Sequence, residues 1–262
     1  MRMQWERMRR HEAAECRRFD HVVAVSAEDR ETMERAYGLR SVSDVPTGVD
    51  TEFFAPAGNG EKDEYNLVFT GSMDWLPNED AIQWFCDEIL PLVRREIPQV
   101  SLTVVGRNPF PSLVELSKRD ESIIVTGRVP DVRPFMEKAS AYIVPIRIGG
   151  GTRLKIYEAM AMELPIVSTS VGAEGLPVTG GEEILLRDTP QEFADAIVEL
   201  LKNKSLARRI GEQAAHTVRR KFGWQTVADN FAGLCEKAIA VSENKLREQV
   251  KVYEDKVVES GY

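Results

Sequence analysis

The chain has 262 residues, 43% of them hydrophobic and 29% charged, which suits one substantial globular domain with room for a second. Its net charge of −8, from 34 basic against 42 acidic residues, argues against an electrostatic nucleic-acid binder and leaves only local basic patches. There is no run of 18 apolar residues and no apolar signal core, so neither a membrane span nor an export signal is expected. Cys16, Cys86 and Cys235 stand far apart in no C-x-x-C pair, which fits a reduced, cytoplasmic setting. His11, His21 and His216 are equally scattered, and no metal site of recognisable spacing can be built from them.

In chain order, residues Met1 to Arg18 read as a helix with six Arg against three Glu. Such a helix, carrying Trp5 and several Met, either packs on a neighbouring domain or lies on an anionic membrane surface; the first reading is favoured. Phe19 to Val25 is a strand, and Ser26 is a helix N-cap followed by Glu28 and Asp29 in the first turn, with Gly38 ending that helix. Val45 to Asp50 reads as a turn, and Ala55 to Asp63, with Pro56, Gly58, Asn59 and Gly60, as a linker at a domain boundary.

Beyond Tyr65 strands and helices alternate. Leu67-Val68-Phe69 is a strand, Asn78 is read as the cap of a helix, and Ile82, Phe85, Ile89 and Val93 recur at helical spacing. Leu102 to Val105 and Ile123 to Val125 are further strands, separated by a helix near Ser112 to Arg119; Asp131 to Lys138 is a short helix. The alternation implies right-handed crossovers and an α/β fold, a Rossmann-like parallel sheet flanked by helices. In such sheets ligands bind beyond the carboxyl ends of the strands. Gly71-Ser72, Gly106-Arg107, Gly127-Arg128 and Gly149-Gly150-Gly151 all fall at such ends.

The densest signal lies between Ala141 and Gly175. Ala141 to Ile146 is an apolar strand, Arg153 to Glu163 favours helix, and Leu164-Pro165 closes it before the apolar run Ile166-Val167-Ser168. Arg153 and Lys155 in the first turn oppose the positive end of the helix dipole, at a cost of a few tenths to about 1 kcal/mol each. Three glycines and the free N–H groups of a first turn suit a phosphate or diphosphate. Glu158, one turn further along the same face as Lys155, can accept hydrogen bonds from a ribose. The competing reading is an ordinary Lys155–Glu158 surface pair beside a plain loop, and this helix alone does not choose between them. After Gly175 come a strand candidate at Ile184 to Leu186 and helices at Pro190 to Leu201, Ser205 to Lys221 and Trp224 to Val241. A charged segment from Glu243 to Glu259 is a clasping helix or a tail.

G-x-G-x-x-G, a Walker loop and the G-x-S-x-G elbow are all absent, which weakens a dehydrogenase, an NTPase and a serine hydrolase. Gly127 followed by Val129-Pro130-Asp131-Val132, the run Gly149 to Glu158, Glu158-Ala159-Met160-Ala161 followed by Pro165, and Val171-Gly172-Ala173-Glu174-Gly175 occur in that order. Together they resemble the donor-binding, C-terminal domain of a GT-B glycosyltransferase, family 4 (group 1). Thr47-Gly48-Val49-Asp50 is similar to that family's interdomain segment. The resemblance runs from about Phe19 to Val241. It implies residues 1–55 as the end of an N-terminal acceptor domain plus the interdomain turn, 64–241 as the nucleotide-sugar donor-binding domain, and 242–262 as a charged C-terminal helix or tail.

It also implies a retaining transfer of sugar from a nucleotide-sugar donor to a sugar or lipid-linked acceptor, in polysaccharide or glycolipid biosynthesis. The donor is a substrate, and neither a cofactor nor a metal is expected. By the family pattern Glu158 holds the ribose, while Arg153 and Lys155 neutralise the departing diphosphate, helped by the loop Gly149, Gly150, Gly151 and Thr152. Gly71 and Ser72 would sit beside the phosphates, with Arg107 adding charge, and the backbone around Arg128 and Val129 would contact the base.

Two features depart from the family pattern. A first glutamate, eight positions before the second, often contacts the transferred sugar, and here Gly150 stands there. Some members carry Arg and Lys in the loop after the first strand of this domain, and here that loop reads Gly71-Ser72-Met73-Asp74-Trp75. Only about 55 residues precede the linker, against roughly 150 for a full Rossmann-like unit. The expectation is therefore a truncation, or a partner chain that supplies the acceptor half, with peripheral membrane contact as a further expectation. The alternatives are a nucleotide-sugar binding module without activity, and an epimerase or phosphorylase of the same architecture.

Overall fold

The computed structural model describes residues 2–58 and 62–259. By its contacts the chain divides between residues 47 and 48, and again between 224 and 225, into two compact units. The first unit holds α1 (Arg2–Cys16), β1 (Val22–Ala24), α2 (Ala27–Tyr37), β2 (Val42–Asp44) and nearly all of α10 (Trp224–Glu259). β1 and β2 pair in parallel with Val22 opposite Val42. The Ser26 cap is present, its Oγ accepting from the Asp29 amide at 3.0 Å, and Gly38 closes α2 in the left-handed region at φ 65°.

The second unit carries the sheet. β3 (Asn66–Thr70), β4 (Ser101–Val105), β5 (Ile123–Gly127), β6 (Ala141–Val144), β7 (Ile166–Ser168) and β8 (Leu185–Leu186) are all parallel, in the order β5-β4-β3-β6-β7-β8. Every residue of β3 and β6 is buried, as a sheet covered on both faces requires. Side chains alternate between two cores. Leu67, Phe69 and Ile143 pack with Ile82, Phe85, Ile89 and Val93 on one face, whereas Val68, Tyr142 and Val144 pack with Ile156, Met160 and Val218 on the other. The first set of helical residues lies on α3 (Leu76–Trp84), a π-helical turn at Phe85–Ile89 and α4 (Leu90–Glu96). The remaining helices are α5 (Pro111–Arg119), α6 (Arg133–Lys138), α7 (Leu154–Ala161), α8 (Pro190–Lys202) and α9 (Lys204–Lys221).

The order of strands reverses direction between β3 and β6. Chain growth runs outward through β4 and β5 on one side and through β7 and β8 on the other, so a crevice opens beyond the carboxyl ends of β3 and β6. Val49 bridges to Gly223, and Tyr157 stacks on Phe222 with centroids 4.6 Å apart, which ties the segment after residue 47 to the end of α9.

Several elements differ from the sequence reading. Asn78 is not a helix cap: α3 begins at Leu76 after Trp75, with Pro77 at its start, so Asn78 lies inside the first turn and is buried. β2 lies between Gly38 and the turn expected from Val45, where the sequence reading assigned no element, since V-S-D has no alternation; it pairs with β1. α10 passes through residue 242 without a break, so Glu243 to Glu259 continues the preceding helix and is not a separate element. The expected linker at 55–63 includes Asn59 and Gly60, which lie outside the described residues, as do the last three positions of the expected tail. Among the described residues no helix is long and apolar enough to cross a membrane, and no His, Cys, Asp and Glu cluster could hold a metal.

Candidate functional site

A cleft of about 380 Å³ opens at the switch point of the sheet. Thr70 and Gly71 from the end of β3, Val105, Gly106 and Arg107 from the end of β4, and Arg128 and Val129 from the end of β5 form its wall, with Phe54 and Val132 beside them. Lys155 and Glu158 of α7 complete it. Of the residues singled out from the sequence, the fold brings Gly71, Arg107, Arg128, Val129, Lys155 and Glu158 to this one cleft. Ser72, Gly149, Gly150, Gly151, Thr152 and Arg153 do not line it.

The β3 and β4 ends are fastened to each other. Gly71 N donates to Val105 O at 2.9 Å, Met73 N donates to Arg107 O at 2.9 Å, and a Cβ on Gly106 would lie 1.6 Å from the Gly71 carbonyl oxygen. Only glycine allows that approach. Ser72 faces outward from the turn: its hydroxyl accepts from Arg107 Nε at 2.7 Å and donates to Asp74. Asp74 also accepts from Asn108 at 2.8 Å and lies 3.9 Å from Arg107, and these hydrogen bonds, Ser72 first, hold its carboxyl below the usual range. Arg107 therefore reaches the cleft already paired with an exposed carboxylate.

Lys155 is arranged differently from a surface cation. Its Nζ donates to Asn78 Oδ1 at 2.9 Å and sits 4.1 Å from the centroid of the Phe69 ring. Burial drives its pKa down to about 7, with Glu158 opposing and Arg153 reinforcing the shift. Burial likewise raises the Glu158 carboxyl, opposed by the charge of Lys155. The surface-pair reading of these two residues is thus set aside, because both are half-buried beside the cleft and Lys155 is bonded across to α3.

Arg153 is the N-cap residue of α7, one position outside the first turn in which it was expected. Its Nη1 donates to Gly150 O at 2.5 Å and Gly151 O at 3.1 Å, and its Nε and Nη2 are buried without partners. The guanidinium thus pins the glycine loop. Gly149, at φ 92°, leaves the space that Nη2 occupies, since a Cβ there would be 3.2 Å from it. At Gly150 a Cβ would lie 3.8 Å from Glu174 Oε2, so a carboxylate from the loop after β7 reaches the place where the family pattern often has glutamate.

The sequence reading missed Asn78, Phe54 and Val132. Pro77 was the available signal for Asn78, because proline favours the first helical position and so moves the cap upstream. Phe54 carried no signal beyond ordinary apolar character, and Val132 stood in the motif Val129-Pro130-Asp131-Val132 without being assigned to the site.

The parallel sheet with its reversal between β3 and β6, and the loops gathered at that point, define a donor-domain architecture of the GT-B type. Residues 64–203, more than half of the chain, match the family of group 1 glycosyl transferases, and the chain belongs to that family. An uncharacterised 44.6 kDa protein in the cps region of Klebsiella pneumoniae is 25% identical over 164 residues, which cover 60% of this chain and 42% of that protein. The GDP-mannose-dependent alpha-(1-6)-phosphatidylinositol monomannoside mannosyltransferase of Mycobacterium tuberculosis is 25% identical over 237 residues, 81% of this chain and 60% of that enzyme. The chain therefore spans about half the length of such relatives. Among solved structures the Anabaena protein HepE in complex with UDP superposes with a TM-score of 0.70 at 16% identity, covering 87% of this chain and 67% of that one. At that identity the likeness is one of fold.

Proposed function

We propose that this chain carries the donor half of a retaining glycosyltransferase, which moves a sugar from a nucleotide-sugar donor to a sugar or lipid-linked acceptor. The observation that carries the reading is the pairing, on one helix facing one cleft, of a half-buried cation at Lys155 with a half-buried carboxylate at Glu158. The spacing suits a nucleoside diphosphate: the ribose hydroxyls donate to Glu158, the diphosphate lies against Lys155 and the Gly71 turn, and the base lies towards Arg128 and Val129. As the bond from the anomeric carbon to the diphosphate oxygen breaks, charge grows on that oxygen. A preorganised ammonium stabilises it without reorganisation of solvent.

Arg153 takes a share of this role by fixing the glycine loop that leads into α7, and Thr152 and Gly149 to Gly151 shape the same approach. The charge of the leaving group is assigned to protein groups, and no metal is assigned a role. Membership of the group 1 family supports the reaction class, and a UDP complex of a protein of the same fold supports the ligand class. The acceptor side is assigned to the other half of such an enzyme, in the same polypeptide or a partner chain, acting in polysaccharide or glycolipid assembly. The reading places the protein in the cytoplasm, with any membrane contact peripheral.

Calorimetric titration with uridine, guanosine and adenosine diphosphates tests the site. Binding of one of them, weakened by Glu158→Ala by about 1–3 kcal/mol through lost hydrogen bonds to a charged group, is the expected result. Failure of all three to bind, or equal binding by the variant, removes the assignment. Release of nucleoside diphosphate from a nucleotide sugar in the presence of acceptors then tests transfer.

A further inference from the structure

We propose that Asn78 is a positioning residue, holding the Lys155 ammonium and the Gly71-Ser72 turn together as one cradle for a diphosphate. This rests on reading the cleft as a nucleotide site. Asn78 is 6% exposed on the first turn of α3, and both ends of its amide are engaged. Oδ1 accepts from Lys155 Nζ at 2.9 Å, 77 residues away, and Nδ2 donates to Ser72 O at 2.8 Å. The donor end faces a carbonyl and the acceptor end faces an amine, so the orientation of the amide is fixed by its partners.

Gly71 completes the arrangement. A Cβ at this position would lie 2.6 Å from Lys155 Nζ and 2.9 Å from Asn78 Nδ2, so the three groups meet only because that side chain is absent. Phe69 closes the space behind the ammonium at 4.1 Å from its ring centroid. A long, flexible lysine stem reaching from α7 is thereby confined to one position at the rim of the cleft. An amide suits the task better than a carboxylate, because it directs the ammonium without neutralising the charge an incoming anion must meet. Asn78 does not line the cleft and acts through Lys155. The other charges acting on Lys155 are Glu158 and Arg153, while Asp80 of α3 is taken up by Arg147 at 2.7 Å.

Two measurements on the intact chain test this, with Asn78→Leu and Asn78→Asp as variants and thermal unfolding run beside them to confirm the fold. The first follows the rate at which an acylating reagent modifies Lys155 as pH is varied, quantified on the Lys155 peptide by mass spectrometry and without nucleotide. Loss of the acceptor in Asn78→Leu is expected to move the midpoint to lower pH by about one pH unit, and Asn78→Asp to move it higher. The second compares a nucleoside diphosphate with its nucleoside. Asn78→Leu should weaken the diphosphate about ten-fold and the nucleoside less than about two-fold, and should add nothing in a Lys155→Met background. Unmoved midpoints, or an undiminished loss in the Lys155→Met background, overturn the role of Asn78 while leaving the nucleotide site intact. Failure of the unmodified chain to bind uridine, guanosine or adenosine diphosphate overturns the nucleotide reading, and the cradle with it.

Discussion

If the cleft binds a nucleoside diphosphate as proposed, the depressed pKa of Lys155 makes that binding sensitive to pH in a calculable way. With its ammonium drawn out of water and titrating at about 7, Lys155 is charged below that pH and neutral above it in the empty cleft. A bound diphosphate restores the charge, because an anion beside the amine favours its protonated form. Above pH 7 each binding event must then take up a proton, and affinity should fall towards ten-fold per pH unit. From pH 7, where half the amine is still charged, to pH 9 this reaches about 50-fold, or about 2.3 kcal/mol. The ligand contributes little to this slope, since terminal phosphates titrate near pH 6 and are ionised throughout the range. Isothermal titration at pH 8 in two buffers of different ionisation enthalpy should report close to one proton taken up per nucleoside diphosphate bound. Lys155→Met should bind weakly, with no slope and no proton uptake. A flat affinity between pH 7 and 9, without proton uptake in the unmodified chain, refutes the assignment of the diphosphate to Lys155.

The same shift has a sign for stability. Between about 7 and the ordinary lysine value of 10.5 the unfolded chain holds a proton that the folded chain has released, so stability should rise as pH increases through that window. Lys155→Met should abolish the slope and raise the midpoint of urea unfolding at pH 7, by removing a partly desolvated cation. Gly106→Ala, whose new methyl would overlap the Gly71 carbonyl oxygen at 1.6 Å, should cost at least about 1–3 kcal/mol in denaturant unfolding; an unchanged midpoint contradicts the close approach. Phe222→Ala, removing a buried ring stacked on Tyr157, should cost about 3–5 kcal/mol in the same assay. Ser26→Ala should cost about 1 kcal/mol by leaving the first turn of α2 without its cap.

What could be read in the sequence follows from the range of the interactions involved. Ile82, Phe85, Ile89 and Val93 declare one face of a helix by their spacing alone, and the π-helical turn within them does not disturb that face. The glycine-ended strands mark the carboxyl edge of the sheet for a similar local reason, and Ser26 and Gly38 mark both ends of α2. Asn78 was misread because an asparagine before two acidic residues looks like a cap at short range, whereas its partners are Lys155 and Ser72. The conformation of Arg153 was equally hidden. A basic residue near a helix start suggests an anion, and nothing local shows that its guanidinium turns back onto the carbonyls of Gly150 and Gly151. Candidate residues were legible, but their division between lining the cleft and shaping its rim depended on contacts made across the sheet.

The contact between Gly106 and Gly71 bears on how the cleft could be re-engineered. Two turns 35 residues apart share one van der Waals boundary, and any side chain at Gly106 must displace the backbone of the other turn. This part of the wall offers a designer no freedom. Arg128, exposed at the end of β5, carries no such constraint, and neither does the Gly127 beside it, where a Cβ would meet nothing within 4 Å. On the proposed placement of the base, a library aimed at changing base preference should therefore vary Arg128 and Val129 and hold Gly71 and Gly106 fixed, with Gly127 kept for its φ of 66°.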